Sequence, residues 1–195
     1  MTYLTLSVDA RQECRLAGTG PSAVTGQLGD LKDIVDWISQ SYTEIQEKHD
    51  NWLWLRSTFT VDTVAGTDTY AYTACTDSRL SATISRFLRW WPEDEECYAN
   101  MTRYLTSGGV GGEGYLIYLP WNRFRDIYKF GSQTNGQPVN VTIDPQNKLV
   151  LGPKPDAVYT IQGEYQMSPQ TLSADADVPE LPTQFHRLIV YRAME

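Results

Sequence analysis

The chain has 195 residues, a formal net charge of −8 at neutral pH and a calculated pI near 4.8. This length fits one domain or a domain with a sizeable insertion, and the acidic balance argues against a nonspecific grip on nucleic acid phosphates, which needs clustered Lys and Arg. The sequence contains no apolar run near the ~18 residues of a membrane helix and no signal-peptide pattern at its N-terminus, which predicts a cytosolic product.

Two helices are predicted before residue 50. The first covers Leu4 to Ala17, and the Gly-Thr-Gly-Pro run at residues 18–21 ends it. The second covers Leu28 to His49, a rod of roughly 33 Å at ~1.5 Å per residue. Its apolar residues recur at three and four residue steps, which indicates one buried face: Leu28, Leu31, Ile34, Val35, Ile38, Tyr42 and Ile45. An antiparallel helical hairpin would bury both apolar stripes.

From Trp54 the hydrophobic period changes to two, which predicts strands. A hairpin is expected with its turn at residues 65–68, and Thr83 to Trp91 is predicted to form another strand. Tyr98 to Tyr104 could be a helical turn, and the glycine-rich residues 107–114 a flexible loop.

A short strand is predicted at Tyr115 to Leu119, followed by a small helix from Pro120 to Tyr128. Apolar and polar residues alternate from Val139 to Tyr165, and two proline-containing turns divide this stretch into three strands. The pattern predicts a three-stranded meander.

Residues 167–182 are rich in proline and are expected to cross back in extended form without building core. A helical period restarts at Phe185 and runs to Glu195 without a stop signal. The predicted fold class is therefore α+β. A helical bundle comprises residues 1–53 and 183–195, and an antiparallel β-rich domain at 54–166, with a short helix near 120–128, is inserted into it.

Catalytic and metal-binding patterns are weak in this chain. His49 and His186 are each expected to be surface or helix-end residues, because neither belongs to a metal-ligand or catalytic motif. Cys14, Cys75 and Cys97 are far apart and are expected to be reduced packing residues. No enzyme activity, cofactor or metal is predicted.

One feature of the sequence favours a sugar-binding or sugar-cleaving function. The acidic residues 93–96 follow Trp90 and Trp91, and carboxylates beside tryptophans occur in sites that bind and cleave sugars. A solvated charge run is the commoner explanation. A carbohydrate-binding or glycan-hydrolysing module remains the alternative function that these residues suggest.

Three segments resemble the head-to-tail adaptor proteins of tailed bacteriophages, the family that includes the tail tubular A protein of short-tailed phages. The first is Arg11 to Cys14 with residues 18–21, the rod from Leu31 to Ile45 and its exit at Trp52 to Leu55. The second is Asn147 to Asp156 leading into Tyr159 to Ile161, and the third is Asp177 to Pro182 before Phe185, His186 and the last helix. Together they cover about half of the chain, and their order and spacing carry the resemblance.

The resemblance implies a structural virion protein at the head-tail interface, made in the host bacterial cytoplasm. It implies a homo-oligomeric ring, commonly of twelve copies, that binds the portal protein, contacts a tail or nozzle protein and extends the channel through which genomic DNA passes without sequence-specific binding. No membrane partner is expected. The candidate protein-interface residues are Phe185, Arg187, Leu188, Tyr191, Arg192, Val110 and Glu113.

Overall fold

The computed structural model describes residues 1–49, 51–92 and 99–195. The chain divides into two compact units, one formed by Met1–Leu55 with Pro169–Glu195 and the other by Arg56–Ser168. The described ranges contain four helices and ten strands. The fold therefore belongs to the α+β class, as predicted.

Three helices build the first unit, here called the helical unit: α1 (Tyr3–Glu13), α2 (Asp30–Glu47) and α4 (His186–Ala193). Each of the three packs on the other two. Their shared core includes Leu6, Ile34, Ile38, Tyr42, Ile189 and Val190. Leu28 does not join this core, because Gly29 turns the chain at φ 57° and α2 starts after it. Leu28 is instead 84% exposed.

The segment after Pro169 packs against the helices, and the expectation that it builds no core is wrong. Leu172 and Leu181 are 4% and 5% exposed within the helical core. The segment is fixed by reciprocal bonds, since Gln46 Nε2 donates to the Gln170 carbonyl (3.0 Å) and the Gln170 amide donates to Gln46 Oε1 (2.7 Å). Proline keeps such a segment out of helix, but its leucines can still be buried.

The second unit, here called the β unit, contains all ten strands and helix α3 (Trp121–Tyr128). The strands are β1 (Arg56–Asp62), β2 (Thr69–Tyr70), β3 (Thr76–Asp77), β4 (Ala82–Thr83), β5 (Arg89–Trp91), β6 (Met101–Leu105), β7 (Gly114–Tyr118), β8 (Asn140–Ile143), β9 (Leu149–Gly152) and β10 (Tyr159–Gln166). Their order is β2-β9-β8-β7-β6-β10-β1-β3-β4, and β5 pairs with β10. One face of the sheet carries the core, with Phe59, Trp90, Met101, Val141 and Tyr165 among its members.

The sheet is mixed, so the prediction of a purely antiparallel domain is wrong in one place. Strands β7 and β8 run parallel, with Ile117 opposite Asn140 and Tyr118 opposite Val141. The connection between them contains α3 and residues 129–139. It is long enough to return the chain to the end of the sheet at which β7 begins, so that β8 can run in the same direction. A parallel pair needs such a crossover, whereas an antiparallel pair can be joined by a tight turn.

Two predicted strand pairings are also wrong. The strand before residue 65 does not pair with the residues after the turn, because β1 pairs with β10 and β3 while β2 pairs with β9. In the expected meander only the β8–β9 hairpin forms, since the third strand, β10, pairs with β1, β5 and β6. Alternation identifies a strand but not its partner, which long-range packing selects.

Two segments adopt a different local structure from the predicted one. Residues 101–104 of the expected helical turn at 98–104 belong to strand β6, and Thr83 to Trp91 is interrupted between β4 and β5. The strand predicted at 115–119, the helix predicted at 120–128 and the C-terminal helix are confirmed with bounds that differ by one or two residues.

Candidate functional site

The outer face of α4 carries most of the predicted interface residues. His186, Ile189 and Val190 are buried on its inner side, which turns Phe185, Leu188 and Tyr191 outward. These three side chains are 43%, 51% and 50% exposed. Large apolar side chains at three-residue spacing on an exposed helix face are typical of a surface that binds another protein.

The two arginines of this face have different surroundings. Arg192 is held within the chain, because its guanidinium donates to Glu44 Oε2 at 2.9 and 3.1 Å and to Glu195 Oε2 at 2.6 Å. Hydrogen bonding to Glu195 and Glu44 raises the pKa of Arg192. Arg187 is exposed and makes no ion pair with any residue that the structure describes. Arg187 is therefore the cation of this face that a partner could engage.

Val110 and Glu113 lie in the β unit, on the glycine-rich loop. This loop is not featureless, since Thr106–Gly108 and Val110–Gly112 form 3-10 turns and Gly109 lies between them at φ 65°. Val110 is 64% exposed at this loop. Glu113 is tied to the sheet, because Thr102 Oγ1 donates to Glu113 Oε1 at 2.5 Å. The loop thus presents one apolar side chain from a defined backbone.

A groove of the helical unit was not predicted from the sequence. It has a volume of about 560 Å³, and its lining includes Cys14, Trp37, Gln40, Glu44 and Met194. Trp37 is 47% exposed there, although indoles are usually mostly buried. The signal is present in the sequence, because Trp37 lies on the polar side of the α2 period, one turn after Asp33 and two turns before Glu44.

The two histidines differ. His49 is exposed, as expected, with its ring 4.9 Å from that of Trp52. His186 is at the start of α4, as expected, but it is not a surface residue, because its ring is fully buried and its Nε2 lies 2.8 Å from the Leu181 carbonyl oxygen. The sequence predicts that His186 lies on the first turn of the helix. The segment at Leu181 folds over that turn and covers the ring.

The cysteines are also not equivalent. Cys75 is a buried core residue, and burial raises the pKa of its thiol to about 12, so the reactive thiolate is scarce at neutral pH. Cys14 is exposed, which contradicts the expectation that it packs in the core. Cys97 lies outside the described residues.

The residues behind the glycan alternative give it no support. Trp90 is 2% exposed in the core of the β unit, and its indole Nε1 donates to the Asn147 carbonyl at 3.0 Å. The Trp91 ring has the guanidinium carbons of Arg56 and Arg89 at 4.2 and 4.3 Å from its centroid. The acidic residues 93–96 lie outside the described residues. Trp90 is therefore unavailable as a platform for a sugar ring.

Within the ranges that the structure describes, no three His, Cys, Asp or Glu side chains are grouped so as to hold a metal ion. Nor does any helix in those ranges have the length and apolar character needed to span a membrane. The notable features of the described surface are exposed apolar side chains beside charges, which are typical of a structural protein that works through contacts with other proteins.

Comparison with protein families identifies such a class. The chain belongs to the SU10 adaptor protein family, whose model matches residues 1–195. Comparison with curated proteins found no match to the chain. The family shows the structural role of a phage adaptor and a place in the virion, in agreement with the resemblance to head-to-tail adaptors. The finer likeness to tail tubular A proteins stays a prediction.

Proposed function

We propose that this protein is a head-to-tail adaptor that forms a ring below the portal, extends the DNA channel and joins the capsid to the tail. The observation that carries the proposal is the match to an adaptor family over the whole chain. A ring of twelve copies is the expected assembly. Its partners would be the portal protein on one side and a tail or nozzle protein on the other.

The exposed face of α4 is the proposed contact with the portal. It combines the half-exposed Leu188 and Tyr191 with Arg187, whose charge no described residue neutralises. An apolar centre with a basic edge suits a groove that is apolar inside and acidic at its rim. Val110, with Glu113 holding the base of its loop, is the proposed second contact surface.

The two units of the chain have different proposed roles. We propose that residues 1–53 and 183–195 act as a helical bundle, that residues 54–166 act as an inserted β domain, and that 167–182 connect them, with the part after Pro169 also packed in the helical core. The role is mechanical and needs no catalysis or cofactor. The net charge of −8 supports a channel wall along which DNA slides, because an acidic surface repels phosphates.

Electron microscopy of the protein mixed with the portal ring of its phage tests this function, with the protein alone and the portal alone as controls. A symmetric second tier on the portal is the expected result, and it would give the copy number and polarity. A portal ring with no added density in the presence of excess protein would overturn the proposal.

The α4 contact has its own test in the same assay. Leu188→Asp with Tyr191→Asp places two charges on the exposed face and is expected to abolish binding to the portal. Thr183→Asp, an exposed change just before α4, is the matched control. Equal binding by both variants would move the contact to another surface.

A further inference from the structure

The exposed side of α2 has a regular pattern that the proposed function does not use. Its outward residues follow steps of three and four: Asp30, Asp33, Trp37, Gln40, Glu44 and Glu47. All six are exposed. Because residues at this spacing lie in one row along a helix, Trp37 is an apolar centre with the acidic Asp30 and Asp33 on its N-terminal side. On its C-terminal side Glu44 is already paired with Arg192. Trp37, Gln40 and Glu44 also line the groove of about 560 Å³, here called the α2 groove.

The β unit carries a surface of the opposite character. Helix α3 covers β8 and β9, since a side chain on Gly152 would meet Tyr128 at 2.6 Å and Phe124 at 2.8 Å, and the Tyr128 hydroxyl donates to Asn140 at 2.7 Å. Its cover ends there. Ile117, opposite Asn140 on the next strand, is 55% exposed, and Tyr115 on the same side of β7 is 68% exposed.

The flank of α3 that faces this uncovered strand can be identified. Lys129 reaches Asp68 at 2.7 Å, just before β2, which lies at the opposite end of the order β2-β9-β8-β7. By helical periodicity, Ile127 and Arg123 lie on the side of α3 opposite Lys129, and so away from β2. Ile127 is 46% exposed, and Arg123 is exposed with no ion-pair partner in the described part of the chain. Tyr115, Ile117, Arg123 and Ile127 are here called the α3 patch.

The two surfaces match in chemistry and spacing. On α2 an exposed acid, Asp33, precedes the exposed indole of Trp37 by four residues, and on α3 the exposed Arg123 precedes Ile127 by four. Each pair therefore places a charge one helical turn from an apolar side chain, with opposite signs on the two helices. The two surfaces differ from each other, so a contact between them is head-to-tail and can be repeated around a closed ring.

We propose that the α3 patch of one copy docks on the exposed side of α2 of the next, with Arg123 facing Asp33 beside the α2 groove and Ile127 packing on Trp37 at the groove. This inference rests on the proposed ring and names the surfaces that join its subunits. Charge complementarity fixes the register of such a contact, and the indole supplies its apolar centre.

A charge exchange tests the contact in the full-length chain. Asp33→Arg and Arg123→Glu each place like charges opposite each other, and the double variant restores the attraction with its sign reversed. Lys148→Glu, an exposed change of the same size in the β unit, is the matched control. Self-association is measured by sedimentation velocity at low salt and by ring formation on the portal, with circular dichroism to check that each variant is folded.

Each single variant is expected to weaken self-association about tenfold, and the double variant to return to within about threefold of the original chain. The control variant is expected to assemble normally. Folded single variants that assemble like the control would overturn the contact while leaving the ring proposal standing, and so would a double variant without rescue. An original chain that forms no ring even on the portal would overturn both proposals.

Discussion

Asp77 is the polar centre of the β unit. It is 1% exposed, and its carboxylate accepts hydrogen bonds from the hydroxyls of Tyr165 and Ser57 and from the amides of Arg79 and Leu80. Burial acts to raise the pKa of Asp77, but these hydrogen bonds outweigh it and hold the pKa below its ordinary value. The carboxylate thus joins β3, β1, β10 and the turn after β3.

Asp77→Asn is expected to lower the free energy of unfolding at pH 7 by about 2–3 kcal/mol, because a charged acceptor with four donors is replaced by an amide. A depressed pKa gives stability that is present above the unfolded-state pKa near ~4 and is lost as the pH falls through the folded-state pKa. Urea unfolding between pH 7 and pH 3 measures both effects. Asp126→Asn, an exposed change on α3, is the control, and an acid slope equal to that of the original chain in Asp77→Asn would contradict the assignment.

His186→Ala is expected to cost about 1–3 kcal/mol of stability, since it leaves a cavity and the Leu181 carbonyl without its partner. His49→Ala, at an exposed site, is the comparison and should change stability by about 0.5 kcal/mol or less. Thermal unfolding of the two variants gives the difference. Equal melting temperatures would show that the buried ring contributes nothing.

At the scale of elements, α2 is the part on which the helical unit depends. Ile38 lies in the middle of this helix and is fully buried. Ile38→Pro removes a backbone donor and is expected to cost about 3 kcal/mol or more. Ile38→Val keeps the donor and should cost about 0.5–1.5 kcal/mol. Circular dichroism at the helix band compares the two, and a proline variant as stable as the valine variant would contradict the role given to α2.

The packing of α3 on the sheet depends on Gly152, which has no side chain. Because an alanine Cβ at Gly152 would meet the Tyr128 and Phe124 rings below 3.0 Å, Gly152→Ala must displace α3 or its strand. The expected cost is about 1–3 kcal/mol. Gly111→Ala is the control, since nothing lies within 4 Å of its added carbon. Denaturant unfolding followed by tryptophan fluorescence measures both variants, and equal midpoints would mean that the helix is not seated on Gly152.

At the scale of the whole molecule, charge makes a separate prediction. A chain of net charge −8 is expected to show no measurable binding to a short DNA duplex at about 150 mM salt. Fluorescence anisotropy of a labelled duplex tests this, with a repeat at about 20 mM salt. Binding that strengthens steeply at low salt would reveal a basic surface that the overall charge conceals, and would contradict a channel along which DNA slides.

Local pattern determined which segments are helices and most of the strands. Each of these elements is set by residues that are close to each other in the sequence, so the sequence alone predicts it. Examples are the apolar row of α2, the small helix after Pro120 and the alternation at β8 to β10. The family resemblance likewise rests on ordered local segments. The predicted interface residues of α4 are on the exposed side of a period that the sequence shows.

Only the tertiary structure decided which strands pair, which residues are covered and which surfaces stay open. β10 pairs with β1, β5 and β6 instead of its neighbour β9, and His186 is buried by a segment that a helical period does not reveal. Tyr115 and Ile117 are exposed because the cover that α3 provides ends at Asn140. These outcomes depend on contacts between residues far apart in sequence, whose free energies no local pattern encodes, whereas the helical and strand periods are set by neighbours along the chain.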